Sequence, residues 1–329
     1  MPQADRTTDK IALAFGCDLI HAESLCTSTV CTKGAHMLSA FKLKWGIDQW
    51  VAFLKDKEIP ILPRTKAVIS TLSTQDANAR EPMGVRELLS IIYADPYLSL
   101  KLLRRAEQNR SRRLGQETTT ALAAMLQTGF DDLIALAAAS PTTDDTLQGC
   151  NDCEFRAVIA ASIARAWARQ RADISPDEVT LAALLSESGE LLLWHFAPEL
   201  PQMVEAELSS GRAFRAVKAE QQAVGFTFKQ MTLALVQAWD LPNIVALLIK
   251  GTDTPRANIA RLAVDTARHI ISDPRHPAIP ADLINISSII PGAAFTKLIA
   301  PLPLADDYKA VVLEAVTENT ASTPTKDLW

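Results

Sequence analysis

The chain has 329 residues, 48% of them hydrophobic, 22% charged and 6% aromatic. That supplies a sizeable core and, at roughly 100–200 residues per domain, enough length for about two units, which excludes a disordered tail protein and a disulfide-stapled miniprotein. The net charge of −5 excludes a globally basic nucleic-acid binder, so no general nucleic-acid binding is expected; one local basic patch is still compatible with it.

No uninterrupted apolar run approaches the roughly 20 residues of a membrane helix, and the stretch 298–304 is broken by Pro301 and Pro303. No membrane association and a cytoplasmic location are therefore expected. Residues 11–16 ahead of Cys17 have the outline of a lipoprotein signal, but the run is short, Asp18 follows at once and Phe15 is bulky near the cleavage position. Cys17, Cys26, Cys31, Cys150 and Cys153 make an odd count without framework spacing, which reads as reduced thiols. Cys150 and Cys153 have zinc-knuckle spacing, and His21, Cys26, Cys31 and His36 lie close together upstream. The knuckle lacks the second paired half of a structural zinc site, so no metal is expected there.

Along the chain, residues 1–36 are polar and irregular. Phe41, Trp45, Trp50 and Phe53 mark one amphipathic helix before Ile59-Pro60-Ile61-Leu62-Pro63. Residues 85–94, 97–107, 119–126, 130–139, 155–171 and 178–185 then carry apolar side chains at three- and four-residue spacing, with only 12 glycines and no clear alternating strands. The fold class is all-α. Ser175-Pro176-Asp177-Glu178 reads as a capping box with proline at the first helical position, and Asp95-Pro96 starts a helix on a smaller scale. Ile159, Ile163 and Trp167 share one helix face and read as core. The stretch 233–248 is apolar nearly all round, which predicts a buried Trp239 whose truncation to alanine costs about 3–5 kcal/mol.

The polar stretch 140–152 is the best internal boundary, and a second break follows 273–277. The chain is thus read as an N-terminal extension (1–56), a main domain (57–275) with lobes at about 57–140 and 150–275, and a short C-terminal helical region (276–329) whose end, from Glu318, is frayed. No internal repeat is present.

Two stretches resemble the HDOD family, a non-catalytic offshoot of the HD-domain metal phosphohydrolases found in bacterial signalling proteins. The first is Ile61-Leu62-Pro63-Arg64-Thr65, then residues 85–92, then Asp95-Pro96 and the leucine-rich run 97–104, closing at Asn109. It is similar to the family's Leu-Pro pair, its apolar helix before Asp-Pro, and its leucine-rich helix ending at Asn. The second is the helix 181–193 with Ser186-Glu187-Ser188-Gly189-Glu190-Leu191, similar to the family's helix into His-Asp-Ile-Gly-Lys-Leu. Residues 225–242, ending Trp239-Asp240-Leu241-Pro242, resemble its Gly-x-x-His helix leading to Trp-Gly-Leu-Pro. The resemblance spans residues 57–273 and implies a two-lobe, HD-like helical bundle.

An active HD phosphohydrolase holds a divalent metal on imidazoles and a carboxylate, and the metal supplies hydroxide at neutral pH. On this resemblance the first histidine position falls near Arg156, the His-Asp pair at Ser186-Glu187, the next histidine at Phe228 and the late pair near Ile249 and Lys250, so no imidazole remains. His21, His36, His195, His269 and His276 form no i, i+4 pair and read as core or surface. Glu187 and Glu190 can share a helix face, but two carboxylates alone make a weak hard-cation site. No Gly-x-Ser-x-Gly elbow or phosphate-cradling glycine loop occurs.

Lys101, Arg104, Arg105, Arg110, Arg112 and Arg113 face only Glu107 in sequence, a local net charge of +5 that suits docking of an acidic partner or a phosphate. The same charges also suit a helix C-terminus. Together these features lead to an expected non-enzymatic signalling or scaffold protein, without cofactor or metal, binding a protein partner or small regulatory ligand. The alternative is a phosphohydrolase acting on a nucleotide or second messenger through a rearranged metal site.

Overall fold

A computed structural model describes residues 41–74, 84–110 and 117–321. Every element of more than three residues in it is a helix. In chain order these are α1 (Ile47–Leu54), α2 (Pro63–Thr74), α3 (Val85–Tyr93), α4 (Pro96–Asn109), α5 (Ala121–Thr128), α6 (Phe130–Ala139), α7 (Gln148–Ala168), α8 (Pro176–Leu185), α9 (Ser188–Phe196), α10 (Glu199–Ser209), α11 (Ala216–Val224), α12 (Phe228–Ala238), α13 (Asn243–Lys250), α14 (Pro255–Ser272), α15 (Ile279–Ile289), α16 (Phe295–Ile299) and α17 (Asp306–Ala321). Among the described residues no single helix is long and apolar enough to cross a membrane.

The Leu-Pro and Asp-Pro pairs are two halves of one joint. Pro63 and Pro96 open α2 and α4, where a missing N–H costs nothing. Asp95, fully buried, caps α4 by accepting from Leu98 N at 2.9 Å, and its other oxygen accepts from Leu62 N at 2.8 Å, ahead of α2. Ile61 then pairs with the connector beyond α6: its N–H donates to the Pro141 carbonyl (2.9 Å) and its own carbonyl accepts from Thr143 (3.0 Å). Lys66 and Lys101 both reach Ser140, at 2.6 Å each. The polar stretch at 140–147, part of the expected internal boundary, is therefore tied to the first lobe.

The cores divide the chain differently from the sequence reading. One core runs from Trp50 to Ala257 and joins α1–α6 to the start of α7, to Leu181, Ala182, Leu184 and Leu185 of α8, to α9–α13 and to the start of α14. A second gathers Ile159, Ile163 and Trp167 from the far half of α7 and Val179 and Ala183 of α8 with α14–α17. At 21 residues, about 31 Å, α7 is long enough to end in both. The region after 275 thus belongs to a core rather than standing apart, with the Trp167 indole donating to the Leu298 carbonyl at 2.8 Å. Within the expected N-terminal extension, Trp50 and Leu54 of α1 are buried in the first core. Residues 1–40, and the end of the expected frayed tail from 322, lie outside the described residues.

Two local expectations are corrected. The stretch 233–248 is not one helix: the chain turns at Asp240, whose φ is +52°, and Trp239 sits half-buried at the end of α12. Its indole donates to Lys55 O (2.9 Å) and Arg104 lies 5.1 Å over its ring, so it clasps α1 and is no core residue. Ser175 makes no side-chain cap bond; Pro176 opens α8, but Glu178 pairs outward with Arg256 at 3.1 Å.

Replacing Asp95 by alanine removes a cap and strands the Leu62 N–H, which together should cost about 2–4 kcal/mol. Denaturant unfolding measures it; a loss under half that range means the joint does not hold α2 to α4.

Candidate functional site

Glu187 stands at the junction between α8 and α9, where helices α7, α9, α12 and α14 meet. The approach depends on Gly189: a Cβ there would lie 2.6 Å from the Phe228 carbonyl and 2.7 Å from Thr232 N. Instead the Gly189 N–H donates to Thr232 Oγ1 at 2.9 Å, locking α9 against α12.

The Glu187 carboxylate is held from two sides. Arg156 of α7 donates to Oε2 through Nε (3.2 Å) and Nη2 (2.7 Å). Arg268 of α14 donates to Oε1 through Nε (3.1 Å) and Nη2 (2.9 Å). Arg156 Nη2 also reaches Glu190 Oε2 at 2.7 Å, so the two glutamates share one guanidinium. Glu187 is 1% exposed. Burial alone would raise its pKa, but Arg268 and Arg156 outweigh burial and hold the carboxyl down at about 2. Around it, burial pushes the Cys153 thiol well above its ordinary value, with Glu190 adding to the rise. Burial likewise raises Glu220, whose carboxylate accepts from Phe228 N at 2.9 Å.

Of the positions that the sequence resemblance assigns to an HD centre, Arg156 and Glu187 meet. Ser186 does not join them: its hydroxyl bonds back to the Ala182 carbonyl at 2.8 Å. Phe228 is buried and enters only through its backbone N–H to Glu220. Ile249 is core at the end of α13, and the Lys250 carbonyl accepts from Lys229 Nζ at 3.1 Å. No motif or spacing in the sequence marks Arg268, which 81 residues separate from Glu187. The one trace it leaves in sequence is a cation beside the apolar stripe Leu262, Ala263, Ala267 and Ile270.

Cys153, Glu187 and Glu190 bring three potential metal donors within 4.8 Å of one another. Their chemistry does not fit a cation: both oxygens of Glu187 already accept from guanidinium groups, one oxygen of Glu190 accepts from Arg156, and the thiol is held protonated. Cys150 is buried beside Tyr97 and Glu154, at 3.7 Å from each, and burial pushes its thiol up to about 12. Burial also raises Glu154 to about 7. His269 donates or accepts at Asp282 (2.7 Å) and stacks on His276, far along the second core, while His195 packs edge-on against Phe196. His21, Cys26, Cys31 and His36 lie outside the described residues.

The described members of the basic cluster do not form one surface. Lys101 is buried and bonds Glu58, the Ile59 carbonyl (3.1 Å) and Ser140 Oγ (2.6 Å); neighbouring segments supply acceptors that a lysine at that depth requires. Arg104 is half-buried, donating to Lys55 O at 2.9 Å beneath Trp239. Arg110 pairs with Glu107 at 2.7 Å. Arg105 is exposed, and Arg112 and Arg113 lie outside the described residues.

The fold and this centre define an all-helical protein of the HD-like type. The family model for the HDOD domain matches residues 62–255, and the chain belongs to that family. Among solved structures it is similar to a virulence factor from Campylobacter jejuni subsp. jejuni (TM-score 0.60, 16% identity, covering 80% of this chain and 98% of that one). It is also similar to the MmoQ response regulator from Methylococcus capsulatus str. Bath (TM-score 0.55, 17% identity, covering 79% and 99%). At these identities the likeness is one of fold. No curated protein matches the chain.

Arg268→Ala leaves half of a buried carboxylate uncompensated. The expected loss is about 2–4 kcal/mol at neutral pH, below that of a fully enclosed pair because Arg268 is 35% exposed. Because the folded-state pKa of Glu187 is depressed, wild-type stability from this group is present above about pH 4.5 and lost as pH falls toward 2. The variant should lose part of that acid dependence in pH-resolved unfolding; an unchanged slope contradicts the clamp.

Proposed function

We propose that the chain is a non-enzymatic regulatory protein of bacterial signalling, in which the HDOD domain binds a protein partner or a small regulatory ligand. The observation that carries this reading is the double arginine clamp on Glu187. A phosphohydrolase needs an electrophilic metal and a nucleophilic water between donors that are free to ligate. Here the one fully buried carboxylate at that position is spent on guanidinium groups from two helices, and the centre acts as a tie between cores. The family assignment supports the reading, as does the fold likeness to a protein described as a response regulator.

Convergence of Cys153, Glu187 and Glu190 favours a second reading, a metal phosphohydrolase with a rearranged centre. Elemental analysis of the purified protein, with melting followed before and after chelation, separates the two. We expect no stoichiometric metal and a melting temperature insensitive to chelator. About one Mn, Fe or Zn per chain, with a chelator-induced fall in melting temperature, supports the hydrolase and removes the scaffold reading.

A further inference from the structure

Two surfaces carry opposite charge and exposed apolar side chains. The first is the elbow between α10 and α11. Arg212 grips Glu207 through two bonds of 2.9 Å, the Ala213 N–H donates to the Glu207 carbonyl (3.3 Å), and Ala213 is buried. The turn is thereby fixed, and it holds Phe214 at 92% exposure with Val217 at 54% beside it. Residues 208–219 contain Arg212, Arg215 and Lys218 and no carboxylate. The second surface is the corner between α5 and α6, which meet at 96°. It presents Leu126 at 66% exposure, with Asp131 and Asp132 exposed in the first turn of α6. No heavy atom lies within 4 Å of where a Cβ on Gly129 would stand, so the bend is open beside Leu126. Residues 114–155 carry seven carboxylates and no Lys, Arg or His.

We propose that these surfaces are partners in self-association: the Phe214 elbow of one copy docks on the Leu126 corner of a second. An exposed aromatic flanked by arginine is the side-chain set on which interface energy concentrates. Arg215 and Lys218 of the elbow face Asp131 and Asp132 of the corner, which sets the orientation. Since the two surfaces are different elements, the contact is head-to-tail and either closes into a ring or extends as a chain of copies.

Sedimentation of the full chain over a concentration series tests this. Wild type should associate at low ionic strength and dissociate as salt rises, since exposed pairs are screened beyond about 8 Å at physiological salt. Phe214→Ser should weaken association at least about tenfold with helical content unchanged. A variant carrying Arg215→Glu and Lys218→Glu, and another carrying Asp131→Lys and Asp132→Lys, should each be monomeric alone and associate when mixed. A wild type that stays monomeric at low salt, an association that survives Phe214→Ser, or charge-reversed variants that fail to recover on mixing overturns the proposal; in those cases Phe214 serves some other partner or none.

Discussion

A carboxylate cannot be buried as an ion unless its charge is met on the spot, and at Glu187 two arginines meet it. Everything around the centre follows from that demand. Arg156 comes from α7, which reaches both cores, and Arg268 from the long helix that anchors the second. Their joint attachment to one residue at the head of α9 fixes how the cores sit. The close crossing of α9 on α12 is possible because position 189 has no side chain. A larger residue there would push the helices apart and lengthen the very bonds that keep Glu187 ionised. The centre thus couples packing to charge: each needs the other in place.

On the proposed reading this coupling also sets the centre apart from metal-dependent hydrolysis. A metal would have to displace guanidinium groups that are themselves half-enclosed, leaving them without a counter-ion. In exchange it would gain a protonated thiol and a carboxylate already shared with Arg156. The ion network is costly to assemble but costlier to break, which suits a fixed joint between helical units. A domain with such a joint can hold binding surfaces in constant relation, the property a signalling scaffold needs.

Much of this was legible in the sequence. The three- and four-residue periodicity gives the helices of the first lobe, because their buried faces repeat locally. Leu62-Pro63 and Asp95-Pro96 mark helix starts, since proline and aspartate act through the backbone within a few residues. Arg156 and Glu187 stand out because they fall on positions where the resembling family has ligands. Arg268 does not, because an ion pair across 81 residues leaves no spacing to read. Lys101 is misread for a related cause: its partners Glu58 and Ser140 are remote in sequence, and a run of cations looks solvated until its acceptors are in place. Trp239 is misread because Asp240 adopts a left-handed conformation that an apolar count cannot anticipate. The division into cores was hidden because α7, α8 and α14 each place residues in both, and apolar residues around most of a helix's circumference look like a single buried segment.

The central claim is that Glu187 is an ionised carboxylate whose oxygens belong to Arg156 and Arg268. Carbon-13 NMR of the glutamate side-chain carboxyls, with Glu187 assigned through Glu187→Gln, reads this directly. The account predicts a Glu187 signal that stays in its ionised position down to the lowest pH at which the protein remains helical, and that is not broadened by added Mn²⁺. A carboxyl that titrates near its ordinary value of 4.5, or that broadens on addition of Mn²⁺, would contradict it.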